Sequence, residues 1–289
     1  MHSIKKFTVG DFFIYGVLGV ISVVSILPFL YILSVSFTDP DTYVPLQFYI
    51  IPKAFSLKSY RYVLSTPSFF NAFKSTVFIT VVGTAVNLIV TFAMAWGLTK
   101  KEVPGHKIFF YMVVVTLFFN AGHIPSYLLV QNLKLMNSHW ALILTSMTSA
   151  WNLIVVKNFL QTIPEEIIES AQMDGCGELR IFGLIVLPLS KPCIATFLLF
   201  FAVKHWNTYF NALLYLSDTT KWTLQLLIKQ LVVDADASGI GQALTAEAVP
   251  PQETVRMASI ILAILPIMIV YPFLQKHFAK GVMLGSIKG

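Results

Sequence analysis

Six apolar runs, each about as long as a bilayer-spanning helix and none containing an acid, decide what this chain can fold into. A hydrocarbon core of about 30 Å is crossed by roughly 20 apolar helical residues. The runs are expected at residues 12–37, 75–99, 108–131, 140–160, 192–216 and 257–277. Charged residues make up only 12% of the chain and hydrophobic ones 56%; a soluble protein carries roughly 25% charged residues. So few polar residues could not cover so much apolar surface in water. The expectation is an all-α membrane protein, with residues 1–289 forming a single transmembrane domain. The first run is too long for the apolar core of a signal peptide, and a small-residue cleavage site is poorly matched in "YILSVSFTDPD". It reads as a retained anchor.

The net charge of +6 is spread along the chain. There is no basic stripe interleaved with aromatics, so nucleic acid is not an expected partner. Lys and Arg in short loops mark the cytoplasmic side of a membrane protein. Lys100, Lys101 and Lys107 lie between the second and third runs, against Lys134 alone in the next short loop. Lys5 and Lys6 precede the first run, while Lys276, Lys280 and Lys288 close the chain. With an even number of crossings, both termini are expected in the cytoplasm. The longer connections, 38–74 and 217–256, then face outward. Cys176 and Cys193 have neither metal-site nor disulfide-framework spacing. No glycine is followed by lysine, so there is no phosphate loop, and no H-E-x-x-H or G-x-S-x-G occurs. The expectation is a non-enzyme.

One segment breaks the apolar pattern. "TIPEEIIESAQMDGCGELRIFGLIVLPLSKP", Thr162–Pro192, holds five of the fourteen carboxylates: Glu165, Glu166, Glu169, Asp174 and Glu178. Thr162 and Glu165 have capping-box spacing, and Pro164 suits a first helical turn. Gly175 suits the left-handed conformation at a helix end. A second helix is expected to run from "ELRIFGLIVL" to an interruption at Pro188. Ile167, Ile168, Ala171 and Gln172 form one stripe on the first helix, which could seat in a partner's groove. A solvated acid-rich loop fits the spacing equally well.

The run Glu169-Ser170-Ala171, Asp174-Gly175, Phe182, Ile185, Leu187-Pro188 resembles the EAA loop of ABC-importer permeases. The family pattern is E-A-A-x-x-D-G-A, five positions, then F-x-x-I-x-L-P. Ser170 and Cys176 stand where alanines are usual. "WNTYFNALLYL" and the ending "QKHFAKGVMLGSIKG" resemble the carbohydrate branch, and within it the shorter permease of maltose-type importers. "KGVMLGSIKG" is similar to endings of permeases for oligosaccharides of complex polysaccharides, including uronate-containing ones such as alginate or aldouronate.

The resemblance implies a type I permease fold of six transmembrane helices with residues 161–191 as a cytoplasmic coupling helix–turn–helix. By the same resemblance, Glu169, Ser170, Ala171, Asp174, Gly175, Phe182 and Pro188 form the contact with an ATPase subunit. The tail near Gly281–Gly289 is a second contact. The implied partners are a second homologous permease, an ATP-binding cassette ATPase dimer and an extracytoplasmic solute-binding protein, in a bacterial inner membrane. No cofactor is implied in this chain; ATP and Mg belong to the partner ATPases.

Lys204 falls near the middle of the fifth run, about 18 Å from either end at 1.5 Å per residue. Facing lipid there would cost roughly 2.5–3.5 kcal/mol on insertion scales. Asn207 and Asn211 follow at i+3 and i+7 on the same helical face. This face either lines an aqueous path or a second permease, or Lys204 pairs with a carbonyl or acid of a neighbouring helix. Trp206, Asn120 and Asn152 are further candidates for the path. Two rival readings are another ABC branch, for phosphate or amino acids, and an ion-coupled secondary transporter. The absence of acids from the apolar runs opposes the second rival.

Overall fold

The computed structural model describes residues 9–45, 47–48, 50–52, 54–237 and 252–282. Within them the chain is helical, with one isolated bridge from Thr38 to Phe55. In chain order the helices are α1 (Val9–Ser36), α2 (Lys58–Ser65), α3 (Pro67–Gly97), α4 (His106–Phe118) and α5 (His123–Asn132). Then come α6 (His139–Thr145), α7 (Ala150–Leu160), α8 (Glu165–Met173) and α9 (Glu178–Ile181). A π-helical segment, Phe182–Val186, leads into α10 (Leu187–Leu189). The rest are α11 (Lys191–Trp206), α12 (Phe210–Tyr215), α13 (Leu224–Ala237) and α14 (Gln252–Val282).

Three described stretches are long and apolar enough to cross a membrane: Gly10–Ser36, Pro67–Gly97 and Glu253–Val270. Counting two bent pairs as one span each, α6 with α7 (56°) and Glu178–Leu189 with α11 (82°), gives five. The third, fourth and fifth apolar runs each fall on two helices rather than one. Between α4 and α5, Gly122 takes φ 84°, which suits glycine, and its N–H donates to Asn120 Oδ1 at 2.8 Å. Between α6 and α7, the Thr145 and Ser146 hydroxyls bond back to Ala141 O and Leu142 O, both at 2.6 Å. Ser149 then opens α7 by accepting from the Asn152 N–H. Between α11 and α12, helical bonding lapses after Asn207 and resumes at Phe210. Apolar content marks out these runs, but turn chemistry decides whether the helix runs on.

By its contacts the chain divides into two units. The first comprises Met1–Pro67 and Ile228–Leu265. Here Asp39 N–H donates to Ala54 O and Ser56 N–H to Phe37 O, both at 2.8 Å, folding the connection between α1 and α2 back on itself. Phe37 stacks on Phe55 and tilts against Tyr60, whose hydroxyl bonds Ser36 Oγ at 2.7 Å. Lys58 bridges Asp39, at 3.2 Å, and Asp41. The Asp41 N–H, then Lys58, holds the Asp39 carboxyl below its ordinary range. Tyr43 donates to the Glu253 carboxylate; burial, then that carboxylate, pushes its phenol well up. Most of α1 is left uncovered by the chain; only Ser34, Val35 and Ser36 at its end are buried.

The second unit comprises Ser68–Leu227 and Pro266–Gly289. Among its described residues are two apolar cores. One joins α3, α7 and α11 to the acidic segment through Phe92, Leu153, Ala171, Ile181 and Phe201. The other gathers Ile79, Val130, Leu142, Tyr215 and Leu226 from α3, α5, α6, α12 and α13. Lys5, Lys6, Lys288 and most of the tail contact expected near Gly281–Gly289 lie outside the described residues.

Candidate coupling site and membrane pathway

The acidic segment forms a helical hairpin. Its first helix ends where the sequence places the end: Gly175 has φ +80°, its N–H donates to Gln172 O, and Cys176 N–H reaches back to Ala171 O, both at 2.9 Å. These two bonds satisfy carbonyls that a helix end would leave open. The capping box does not form. Thr162 Oγ1 donates instead to Phe159 O at 2.7 Å, and Pro164 is the N-terminal cap of α8, with no side-chain bond. Nor does Pro188 interrupt the second helix. The π-helical turn before it, closed by Leu187 N–H to Phe182 O, widens the backbone where the Pro ring would crowd Leu184 O. The chain turns only at Ser190.

The expected stripe on α8 divides in two. Ala171 is buried and Ile168 packs against the same core, so this face belongs to the chain itself. Ile167 is 41% exposed, Met173 89% and Leu179 87%. Glu165, Glu166, Glu169, Ser170, Asp174 and Gly175 are exposed beside them. The outer face therefore combines acids with greasy tips. An open cavity of about 1550 Å³ runs alongside, lined by Glu165, Glu166 and Glu169 as well as by Trp151 and Phe200.

A clamp not foreseen from the sequence holds the hairpin. Glu178 Oε1 accepts from Lys100 Nζ at 2.9 Å and from Gln172 Nε2 at 3.0 Å. Lys100 also lies 4.4 Å above the Trp96 ring, which stacks on Phe182. A half-exposed ion pair contributes only about 0–1 kcal/mol. Its effect is to fix α8 relative to α9 and the end of α3. Phe182 faces this packing, whereas Pro188 is exposed.

Deeper in the chain, the interruptions lie close together. Lys204 Nζ, at the end of α11, donates to Ser146 O at 3.1 Å, just past α6. His123 and Phe210, which start α5 and α12, meet edge to face at 4.7 Å. Irregular backbone at membrane depth survives where protein or a water-filled cavity satisfies it. Lys204 and Asn207 are exposed, and Asn207 bonds Val203 O at 2.9 Å. Asn211 belongs to α12, so the break ends its i+7 relation to Lys204. Asn120 is spent on Gly122, and Asn152 lies in the first turn of α7. Trp206 is buried edge-on against Phe73.

No pattern along the chain points to the polar contact beneath Lys204. Asn87 Nδ2 donates to the same Ser146 carbonyl at 3.1 Å, and Asn87 Oδ1 lies 3.3 Å from His205 Nε2. His205 is 1% exposed, packed so closely on Gly83 that a Cβ there would sit 2.6 Å from its ring. Alongside, the hydroxyls of Thr91 and Thr148 bond at 3.1 Å.

An all-helical membrane chain that fastens an exposed helix–turn–helix to its transmembrane core has the form of a transport permease. It belongs to the family of binding-protein-dependent transport system inner membrane components, which it matches over residues 4–284. It is 46% identical to Protein LplC of Bacillus subtilis (strain 168) over 289 residues, 100% of this chain and 98% of that protein. It is 45% identical to the polygalacturonan/rhamnogalacturonan transport system permease protein YtcP of the same organism over 280 residues, 96% of this chain and 98% of that one. Among solved structures, a bacterial ABC transporter involved in the import of the acidic polysaccharide alginate matches with a TM-score of 0.82 at 30% identity. That match covers 95% of this chain and 99% of the other.

Proposed function

We propose that this chain is one of two permease subunits of an ATP-driven importer of acidic oligosaccharides in a bacterial inner membrane. The observation that carries this reading is the exposed hairpin tied through Ala171 and Ile181 to the core of α3, α7 and α11. An ATPase subunit gripping the acids and the Met173 and Leu179 tips would pull on those three helices directly. ATP and Mg are handled by the ATPase pair. A solute-binding protein delivers substrate at the outward connections, including the Asp39–Asp41–Lys58 surface. The substrate class is taken from the relatives named for polygalacturonan and alginate.

The six crossings are assigned to α1, α3, α4 with α5, α6 with α7, α11 with α12, and α14. The gathered interruptions near Lys204, Asn207 and His123 line the path. Both termini and the hairpin lie in the cytoplasm. Cys176 reports this orientation, since it is partly exposed while Cys193 is buried. A membrane-impermeant maleimide is expected to label Cys176 in inside-out vesicles and not in intact cells; labelling from outside would overturn the orientation.

Reconstitution gives the functional test. Proteoliposomes holding this chain with its second permease, ATPases and binding protein are expected to accumulate trigalacturonate only with ATP and the binding protein. ATP-independent uptake driven by an ion gradient would overturn the importer reading.

A further inference from the structure

Lys204 lies in the last turn of α11. Among the described residues no carboxylate pairs with it, and none of the six apolar runs contains an acid. Its one hydrogen bond goes to Ser146 O, a carbonyl that Asn87 Nδ2 already satisfies at the same 3.1 Å. The lysine is therefore not required to cap the end of α6. An ammonium carries three donors, so two remain for another group. A charge kept at membrane depth needs an anion or water, because a single neutral carbonyl does not offset its desolvation. The side chain is exposed, beside the cluster of helix interruptions.

We propose that Lys204 binds a carboxylate of the saccharide as it passes, making it a specificity-determining residue for anionic over neutral sugars. This rests on the reading of the chain as an acidic-oligosaccharide permease. The same chemistry could come from an acidic side chain of the second permease, and the experiment separates these sources.

The assembled importer, with its second permease, ATPases and binding protein, is prepared unaltered and with Lys204→Gln or Lys204→Arg. Glutamine removes the charge while keeping an N–H donor, one bond nearer the backbone. Recovery of the complex, its thermal midpoint and its uptake of trigalacturonate are measured. Loss of a charge-assisted hydrogen bond is expected to reduce uptake by Lys204→Gln about 10- to 100-fold. Lys204→Arg stays within a few-fold of the unaltered complex, and all three show equal recovery and thermal midpoint. Lower recovery of the two-permease complex with Lys204→Gln would assign the counter-charge to the partner and overturn the proposal. A lowered thermal midpoint at equal recovery would make the residue structural, and unchanged uptake would leave it no role; either overturns the proposal. If the unaltered complex takes up no trigalacturonate, the acidic-saccharide reading itself fails, and this inference with it.

Discussion

Gly83→Val is expected to destabilise the assembled complex severely. A Cβ at this position would lie 2.6 Å from His205 Cε1 and Nε2, far inside contact distance, and the imidazole has no room to retreat at 1% exposure. Forcing even one extra group into a packed interior costs about 1–3 kcal/mol; valine adds three. The displaced ring would also lose its 3.3 Å approach to Asn87 Oδ1, loosening the atom group that meets Ser146 O. Thermal denaturation of the detergent-solubilised complex is expected to rank unaltered above Gly83→Ala, with Gly83→Val lowest. Adding His205→Ala to Gly83→Ala should restore part of the loss by vacating the space. A Gly83→Val protein as stable as the original would mean that α3 and α11 do not approach this closely.

Gly175→Val acts differently, because nothing lies within 4 Å of its Cβ position. The penalty is conformational: φ +80° is costly for a β-branched residue, about 1–3 kcal/mol. The turn would open, giving up the bonds from Gly175 N–H to Gln172 O and from Cys176 N–H to Ala171 O. Membrane insertion and the amount of protein should be unchanged, since the turn is exposed and outside the apolar helices. Transport is expected to fall at least tenfold, and binding-protein-stimulated ATP hydrolysis to lose its link to uptake. Asparagine, which tolerates the left-handed region, should retain most transport, and alanine should fall between. Normal uptake by Gly175→Val at normal membrane abundance would remove the hairpin from the coupling mechanism.

What could be read from the sequence follows from the range of the forces involved. The long helices α1, α3 and α14 are local matters of apolar content, and their runs are plain in the chain. The Gly175 turn is equally local. The interruptions carry local signals too, Gly122 with Pro125 and Ser146 with Ser149, but their apolar surroundings mask them. The capping box failed because Thr162 had a nearer acceptor in Phe159 O. The π-helical turn before Pro188 reflects relief of a backbone clash that composition does not encode. His205 meets Gly83 and Asn87 from more than a hundred residues away, and Trp96 meets Phe182 across more than eighty. No single-chain pattern announces such contacts. Lys204 stood out because an unshielded charge in apolar surroundings is conspicuous whatever the fold.

The 82° corner between Glu178–Leu189 and α11 has a mechanical meaning. Two rods joined nearly at a right angle form a crank: thrust along one arrives at the other almost wholly sideways. A stroke delivered down the shorter arm would therefore tilt α11 instead of sliding it along its axis, swinging the far end that bears Lys204.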